Sequence, residues 1–543
     1  MKHFWYLVLL LPNLANSQVV DTLSEIDEIE IITKYKPILV EADKIKILPE
    51  LSSEKIDLPT LEYNLPDILP KIRNNYRPIK PVSLKKEKQD PLYGNYAKLG
   101  FGNYRSPFAE FHLHNLEDNK YSYGLGLLHH SARGGNTGVL KNARYSNNNF
   151  NIYGEKFTRK GVLNTKFNYE RKGITRYGYQ MDSSELNIED LKRTFNLSEL
   201  QVGYSSISEK NKNGFVLSSA LSSFGNDSAS EFDLALDGGI KWSGRNLRFD
   251  WLSQLDITQY SKDTFSLNRL FVHTFPKITF KKKLLTLSLG AKVCIPTGDD
   301  TTSENLYVNP YAFVDYQLAP DILHIFGEID GGLIKNDFEG LAKINPFLNQ
   351  NFSLQNTFNA FDFRAGAKGS LNNFSYSGNL YVNVQNNRVL FISDSTAFRG
   401  FDVLYDDITQ SGFVAQIGYT FRQKGFVNAQ LSLNDFKLEK YADAFHLPNT
   451  EFELHGRYIW NKKMILKADG LFWGERTNSN SSDLDKINIL PAFFDLSIGL
   501  EYLHKKTLAF FLEGNNILNN KYQFWANHPR FGINVMGGVS LSI

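Results

Sequence analysis

Apolar and polar residues alternate with a period of two over the last thirteen positions of the sequence. Between Phe531 and Ile543, apolar side chains such as Val535 and Leu541 occupy one face, and small or polar residues such as Ser540 occupy the other. Successive side chains of a β-strand point to opposite faces, so this stretch predicts a strand with one apolar face. A terminal strand that pairs with the first strand closes a sheet into a barrel and leaves no free edge. The pattern therefore predicts the closing strand of a transmembrane β-barrel.

The same alternation recurs within residues 92–543 in runs of about ten residues, the length that a tilted membrane strand needs. In runs such as 231–242 and 494–502, charged residues stand opposite apolar ones. Charged side chains cannot face lipid cheaply, so we expect them to face a polar lumen, either paired with one another or in contact with a solute. The lumen-facing candidates are Asp233, Asp237, Lys241, Glu328, Asp330, Arg364, Lys368, Arg457, Asp495 and Glu501.

The connections between these runs alternate in length. Short polar turns occur at 243–245 and 281–283, and longer segments at 334–356 and 476–490. Short periplasmic turns and long outer loops are typical of bacterial outer-membrane barrels. A soluble β-propeller would need a repeated blade motif, which the sequence does not show. The fold class predicted is all-β: a large antiparallel transmembrane β-barrel of about 22–24 strands, in which 386–410 forms either two short strands or one folded loop.

Composition and the first residues predict export. Residues 1–17 combine a short polar start, an apolar run and small residues before Gln18, which is the pattern of a signal peptide. The single cysteine, Cys294, cannot form an internal disulfide. The formal net charge of +2 gives no reason to expect nucleic acid as a partner. We expect the outer membrane of a Gram-negative bacterium, with membrane lipid and the barrel assembly machinery as partners.

Residues 18–91 differ from the rest of the chain. They contain eight of the 18 prolines, which block long helices and central strands. The segment is expected to be an extended periplasmic or lumenal segment that contacts the lumen or a partner. A mostly disordered leader is the alternative on composition.

Two stretches carry a family resemblance. One is the Tyr-Ala-Lys-Leu-Gly-Phe-Gly-Asn-Tyr run at 96–104, and the other is Asn-Asn-Ile-Leu-Asn-Asn-Lys-Tyr at 515–522, which precedes the closing strand. Together they resemble the barrels of TonB-dependent receptors, particularly those of Bacteroidota, over about 92–543. The resemblance implies a transport barrel that passes a solute through its lumen.

The N-terminal part departs from that family. Receptors of this kind carry a globular plug domain before the barrel, whereas here only the proline-rich residues 18–91 separate the signal peptide from the first strand. A standard plug is therefore not expected. The run Glu28, Ile29, Glu30, Ile31, Ile32, Thr33 is similar to a TonB box, which pairs with its partner as an added strand. TonB, or another periplasmic or outer-membrane protein, is thus a candidate partner of 18–91.

Candidate chemistry is sparse. His129, His130 and Ser131 form the only dense cluster, but neighbouring strand residues face opposite ways, so the two histidines cannot share one lumenal site. Acidic residues at 299–304 and 483–485 fall in predicted outer loops and lack the spacing of a calcium loop. The prediction is therefore a protein that is no enzyme, with no catalytic residue, metal or cofactor.

Two functions fit these features. The first is a TonB-dependent receptor-like transport barrel. The alternative is a non-transporting structural or assembly subunit of an outer-membrane complex, which would bind a partner through residues 18–91. A wet, conducting lumen would favour the first, and a filled lumen with a co-purifying partner would favour the second.

Overall fold

The computed structural model describes residues 93–543, apart from 116–119, 135–142, 179–190, 207–212, 264, 300–303, 350–351 and 395–399. The predicted signal peptide, the segment 18–91 and its TonB-box-like strand lie outside the described residues.

The described chain consists almost entirely of β-strands. In chain order these are β1 (Asn95–Gly102), β2 (Ser106–His114), β3 (Tyr121–Arg133), β4 (Arg144–Phe157), β5 (Val162–Thr175), β6 (Lys192–Ser205), β7 (Gly214–Gly225), β8 (Ala229–Ser243), β9 (Leu247–Lys262), β10 (Phe265–Lys282), β11 (Leu285–Gly298), β12 (Tyr307–Ala319), β13 (Leu323–Ile334), β14 (Thr357–Leu371), β15 (Phe374–Ser393), β16 (Phe401–Thr420), β17 (Gly425–Leu438), β18 (Thr450–Trp460), β19 (Met464–Trp473), β20 (Arg476–Asn480), β21 (Asp483–Leu490), β22 (Phe493–Lys505), β23 (Leu508–Asn515), β24 (Gln523–Trp525), β25 (His528–Pro529) and β26 (Asn534–Ser542). A helix, α1 (Phe338–Ile344), lies between β13 and β14. No helix among the described residues has the length and apolarity needed to cross a membrane.

The strands form a closed antiparallel barrel of 22 strands, which confirms the predicted fold class. Strands β1 to β19 follow one another around the wall, and β22, β23 and β26 complete it. The last strand pairs with β1 from Tyr96 opposite Ser542 to Gly102 opposite Met536, so the predicted closure is confirmed. The seam leaves no room for a side chain at Gly538, where a Cβ would clash with the Leu99 carbonyl oxygen and the Gly100 backbone.

Two predicted loops contain β-structure. Residues 476–490 form the hairpin β20–β21, which joins the sheet through a single parallel bridge between Ser393 and Asn480. In the region 386–410, residues 388–393 and 401–405 are strands that pair with each other up to Ser393 opposite Phe401, as one of the two alternatives expected. They are not separate short strands but the ends of β15 and β16, each 20 residues long.

The two faces of the wall differ in chemistry. Large apolar side chains such as Leu99 (56% exposed) and Phe101 (63% exposed) stand on the outer face, and the residues between them point inward. An outward apolar band is what a barrel presents to lipid.

The two ends differ as well. The connections from β2 to β3, β4 to β5 and every second one up to β18–β19, together with β22–β23, are short. They share one end of the barrel with Asn95 and Ile543, whose backbones exchange two hydrogen bonds of 2.8–2.9 Å. We call this end the turn end. The opposite end, the loop end, carries the longest connections, including the one between β13 and β14, along with the short ones from β1 to β2, β7 to β8 and β9 to β10. Long loops mark the extracellular end of bacterial barrels.

Candidate functional site at the loop end of the lumen

The ten predicted lumen-facing residues all lie on the inward face of the wall. Asp237, for example, follows Leu236, which is 41% exposed on the outer face, and Asp237 accepts a hydrogen bond of 3.2 Å from Ser218 Oγ. Glu328 and Arg364 are directly opposite each other on β13 and β14. Three ion pairs tie other candidates to inward neighbours: Asp330 to Lys292 (2.6 Å), Arg364 to Asp362 (2.9 Å) and Lys368 to Asp315 (3.0 Å). Asp330, Arg364 and Lys368 are thus neutralised within the wall.

Four segments from the loop end fold inward and contact one another. We call them the loop cap, which comprises 335–349 with 352–356, 439–449, 476–490 and 516–533. The buried apolar side chains of the first segment join those of the wall in one cluster, which includes Phe338, Leu341, Leu348, Leu354, Phe391 and Phe401, and Trp525 of the last segment packs against it. The protein's own connections therefore lie against the inner face of the wall at this end.

A half-buried lysine, whose side chain is 14% exposed, fixes the first segment of the loop cap to the wall. Lys335 Nζ lies 2.8 Å from Asp233 of β8, 3.0 Å from Asp256 of β9 and 3.3 Å from Asp337. It also donates to Thr258 Oγ1 at 3.0 Å. Burial alone would lower the pKa of Lys335, but Asp337, Asp256 and Asp233 hold that pKa above its ordinary value. The lysine stays charged and bridges two wall strands to the segment that follows β13.

A second wall carboxylate binds the start of α1. The Glu231 carboxylate, which is 3% exposed, accepts the backbone N–H groups of Phe338 (2.8 Å) and Glu339 (3.1 Å). Asp337 is the N-cap of the helix and accepts from the Gly340 N–H at 2.8 Å. These donors would otherwise be unsatisfied, because the first N–H groups of a helix have no intrahelical partner. Glu231 therefore sets both the position and the direction of α1.

Aromatic packing holds the helix against the wall. The ring of Phe338 lies 5.1 Å from Phe224 of β7, 5.7 Å from Tyr260 of β9 and 6.3 Å from Phe195 of β6. A cavity of about 30 Å³ lies between Ala342 of α1 and strands β5, β6 and β7.

The other segments meet around a buried histidine. His446, in the connection between β17 and β18, lies with its Nδ1 3.0 Å from the Phe391 carbonyl oxygen, and its Nε2 accepts from the Ala526 N–H at 3.3 Å. This arrangement requires the neutral ring with the proton on Nδ1. Burial lowers the pKa of His446 to about 3. The Trp525 ring packs on it at 5.1 Å.

Further contacts join the segments to each other. Arg476, at the start of the β20–β21 hairpin, donates to the carbonyl oxygens of Gln523 (2.8 Å) and Phe524 (3.0 Å). The ring of Phe347 stacks on that of His528 with 4.0 Å between centroids. The four segments of the loop cap therefore form one packed unit rather than separate loops.

Comparison with known proteins identifies the fold. No family model matches the sequence, and no curated protein matches it either. Among solved structures, it is similar to the FrpB iron transporter from Neisseria meningitidis, with 10% identity over 84% of this chain and 82% of that one and a TM-score of 0.66. The pyoverdine outer membrane receptor FpvA from Pseudomonas aeruginosa, bound to pyoverdine, has 10% identity over 84% and 79% and a TM-score of 0.64. The siderophore receptor PirA from Acinetobacter baumannii has 9% identity over 84% and 81% and a TM-score of 0.64.

The barrel has the fold of these outer-membrane receptors. These solved neighbours are transporters and receptors rather than enzymes. Within this receptor-type barrel, the described residues contain no group of three or more side chains arranged to hold a metal ion.

The sequence pattern did not identify the residues that hold the loop cap. The alternation of 231–242 placed Glu231 on the lumenal face, but Glu231 was not among the ten candidates. Lys335 was not predicted to face the lumen, and 334–356 was predicted only as an outer loop. The signal was present in composition, because this loop contains Phe338, Phe347 and Phe352, which is unusual for a loop that remains in water.

Proposed function

We propose that this protein is a TonB-dependent receptor-like outer-membrane transport barrel of a Gram-negative bacterium, which passes a solute through its lumen when the loop cap moves. The observation that carries the proposal is the combination of a closed receptor-type barrel with a cap of inward-folded connections at its loop end. The cap is built from connections, which can move without breaking the barrel wall. The lumen itself serves passage rather than catalysis.

The inward charges indicate a polar solute. Both signs line the wall, as in the adjacent Glu328 and Arg364, and aromatic rings line the loop end. The solved neighbours are an iron transporter and receptors for siderophores, one of them bound to pyoverdine. Ferric siderophores are therefore the first solutes to test.

Uptake in cells tests this function. A strain that lacks its own siderophore receptors would be grown under iron limitation with this protein or an empty vector, and ⁵⁵Fe–siderophore uptake would be measured across a panel of siderophores. Uptake above the vector with at least one solute supports the proposal. Arg364→Ala, which removes an inward charge, is expected to change the rate. Arg245→Ala, which removes an arginine from the connection between β8 and β9 at the turn end, is the matched control.

Energy coupling is a separate part of the proposal. We assign it to residues 18–91, in which Glu28–Thr33 would pair with TonB by strand addition. Deletion of Glu28–Thr33 should abolish uptake without reducing the amount of folded barrel in the membrane. If uptake after the deletion equals that of the full chain, transport does not need Glu28–Thr33, and the protein is a passive channel.

A non-transporting structural or assembly subunit is the second candidate. The dense packing of the loop cap fits this function, because a barrel that never opens would also have closely packed connections. Affinity purification of the full chain and of a chain lacking 18–91 separates the two functions. A stoichiometric partner that is lost on deletion, together with no uptake of any solute, would support the subunit.

A further inference from the structure

A serine, a histidine and an asparagine form a continuous hydrogen-bonded relay on the outer face of β3 and β4. Ser131 Oγ lies 3.2 Å from His129 Nε2, and His129 Nδ1 lies 2.7 Å from Asn148 Oδ1. Residues 129 and 131 are two apart on one strand and therefore share a face, and Asn148 is directly opposite His129 on the next strand. The order nucleophile, base and orienting group is that of a serine hydrolase triad, which is recognised by geometry on unrelated folds.

The asparagine is itself held in the required orientation. Its Nδ2 group donates to Ser146 Oγ (3.1 Å) and to the Arg171 carbonyl oxygen (3.3 Å). Both amide hydrogens are thus directed away from the imidazole, and Oδ1 is left to accept the Nδ1–H of His129. Nε2 then carries the lone pair that can accept the proton of Ser131.

The neighbouring histidine belongs to a different environment. His130 points inward, where its Nε2 lies 3.2 Å from Ser106 Oγ and 3.1 Å from Tyr145 OH. Successive residues of a strand face opposite sides, so His129 and His130 cannot share a site. For the same reason His129 and Ser131, two residues apart, lie together on the outer face.

The relay lies at the level where lipid headgroups meet the barrel. Outward positions of β3 are Tyr121, Tyr123, Leu125 and Leu127, counted from the turn end, and His129 follows. Successive outward residues of a strand tilted by about 40° rise about 5 Å, so the three steps from Tyr121 to Leu127 span about 15 Å. His129 and Ser131 lie one and two steps further, about 20 and 25 Å above Tyr121, against an apolar band about 25 Å tall. The relay therefore lies at the loop-end border of the apolar band.

The surroundings match a lipid ester. Leu127 and Phe150 form a pair on the apolar side of the relay. On the other side, Arg133 and Arg144 form an exposed pair, and Arg171 is exposed beside Asn148. Acyl chains would rest on the apolar side, and a phosphate would meet the guanidinium groups.

We propose that Ser131, His129 and Asn148 form a second site, independent of transport, that hydrolyses acyl esters of membrane lipids. The Ser131 oxygen attacks the ester carbonyl carbon while His129 Nε2 takes its proton. The ester C–O bond breaks, the alcohol part of the lipid leaves with that proton, and the acyl group stays on Ser131. Water, deprotonated by His129, then attacks the acyl carbon, which releases the fatty acid and regenerates the Ser131 hydroxyl. Asn148 acts through His129 as a positioning residue.

Active-site labelling with a fluorophosphonate probe tests the nucleophile. The full-length barrel, purified in detergent and shown to be folded by its heat-modifiable migration, would be labelled and the modified peptide mapped. Labelling at Ser131 is expected in the wild type, and none in Ser131→Ala. Ser198→Ala is the matched control, because Ser198 is a half-buried serine on the outer face of β6 away from the relay, and its labelling should equal that of the wild type.

Fatty acid release from phosphatidylethanolamine in mixed micelles tests the activity. Ser131→Ala and His129→Ala should each lower kcat by at least about 1,000-fold, since either residue is indispensable to such a triad. Asn148→Ala should lower kcat by about 100-fold or more, and Asn148→Asp should restore much of it, because a carboxylate also accepts the Nδ1–H. A purely structural asparagine would show no such rescue. Absence of release from folded wild-type protein, or release and labelling that persist in Ser131→Ala, would overturn the proposal.

Discussion

Replacing Lys335 by methionine should open the loop cap while the barrel stays intact. The side chain keeps its approximate volume but loses its charge, which leaves Asp233, Asp256 and Asp337 close together without their common cation. Removing one partner of a buried ion pair costs about 3–5 kcal/mol. At about 3 kcal/mol, the ratio of closed to open cap falls about 100-fold or more, since each 1.4 kcal/mol is a factor of ten.

Two assays measure the effect of Lys335→Met. Limited proteolysis should cleave Lys335→Met within the loop cap much faster than the wild type, and liposome swelling should show faster entry of small sugars. Lys343→Met is the matched control on the same segment. Its ion pair with Glu339 (2.6 Å) involves a lysine side chain that is 53% exposed, and such pairs contribute only about 0–1 kcal/mol. If proteolysis shows a released cap in Lys335→Met but sugar entry does not rise, the cap does not gate the lumen and the reasoning fails.

Three further changes test other parts of the structure. The pKa of His446 in the closed cap (about 3) lies below its ordinary value of about 6.5, so below pH 6.5 an opened cap binds a proton that the closed cap does not. Cap stability should therefore be unchanged above pH 6.5 and about 2 kcal/mol lower at pH 5, which faster proteolysis would report. A flat pH profile in this range would contradict the assignment. Phe338→Ala should weaken the cap by about 3–5 kcal/mol, because it removes the ring that packs on three wall strands. Amide hydrogen exchange in α1 should then accelerate while exchange in the wall does not. Protection of α1 equal to that of the wild type would show that the ring is dispensable. Gly538→Val should prevent closure of the barrel, because a Cβ at this position would lie 2.0 Å from the Leu99 carbonyl oxygen, and a folded, heat-modifiable band of normal intensity would refute this.

The barrel wall could be predicted from the sequence because lipid imposes a strict period of two. The closing strand was predicted from Phe531 to Ile543 by alternation alone; the observed strand is Asn534–Ser542, and its pairing with β1 is observed. A lumenal charge such as Asp237 was predicted in the same way, since each side of the wall faces a different solvent.

The loop cap could not be predicted from that period. Its contacts join residues far apart in sequence, such as Glu231 with Phe338, and nothing local to either residue specifies the other. The same holds for His446 and Ala526, which come from different connections. Loops that fold inward are held by tertiary packing rather than by periodicity, so only their aromatic content hinted at burial.

The outer relay shows a different limit. Alternation correctly separates His129 from His130, but the same rule puts His129 and Ser131 on one face, two residues apart. Asn148 is joined to them only by the register of β3 against β4, which the sequence does not specify. A search restricted to the lumen therefore misses a site that faces the membrane.

Single-channel conductance in planar bilayers tests the central claim most directly. The full chain would be compared with a chain in which residues 335–356 are replaced by a short Gly-Ser linker, both shown to be folded by heat-modifiable migration. Transport through a lumen closed by the loop cap predicts a silent or rarely opening full chain and steady, ion-conducting channels after the replacement. A folded variant without the 335–356 segment that stays silent would contradict transport through this lumen.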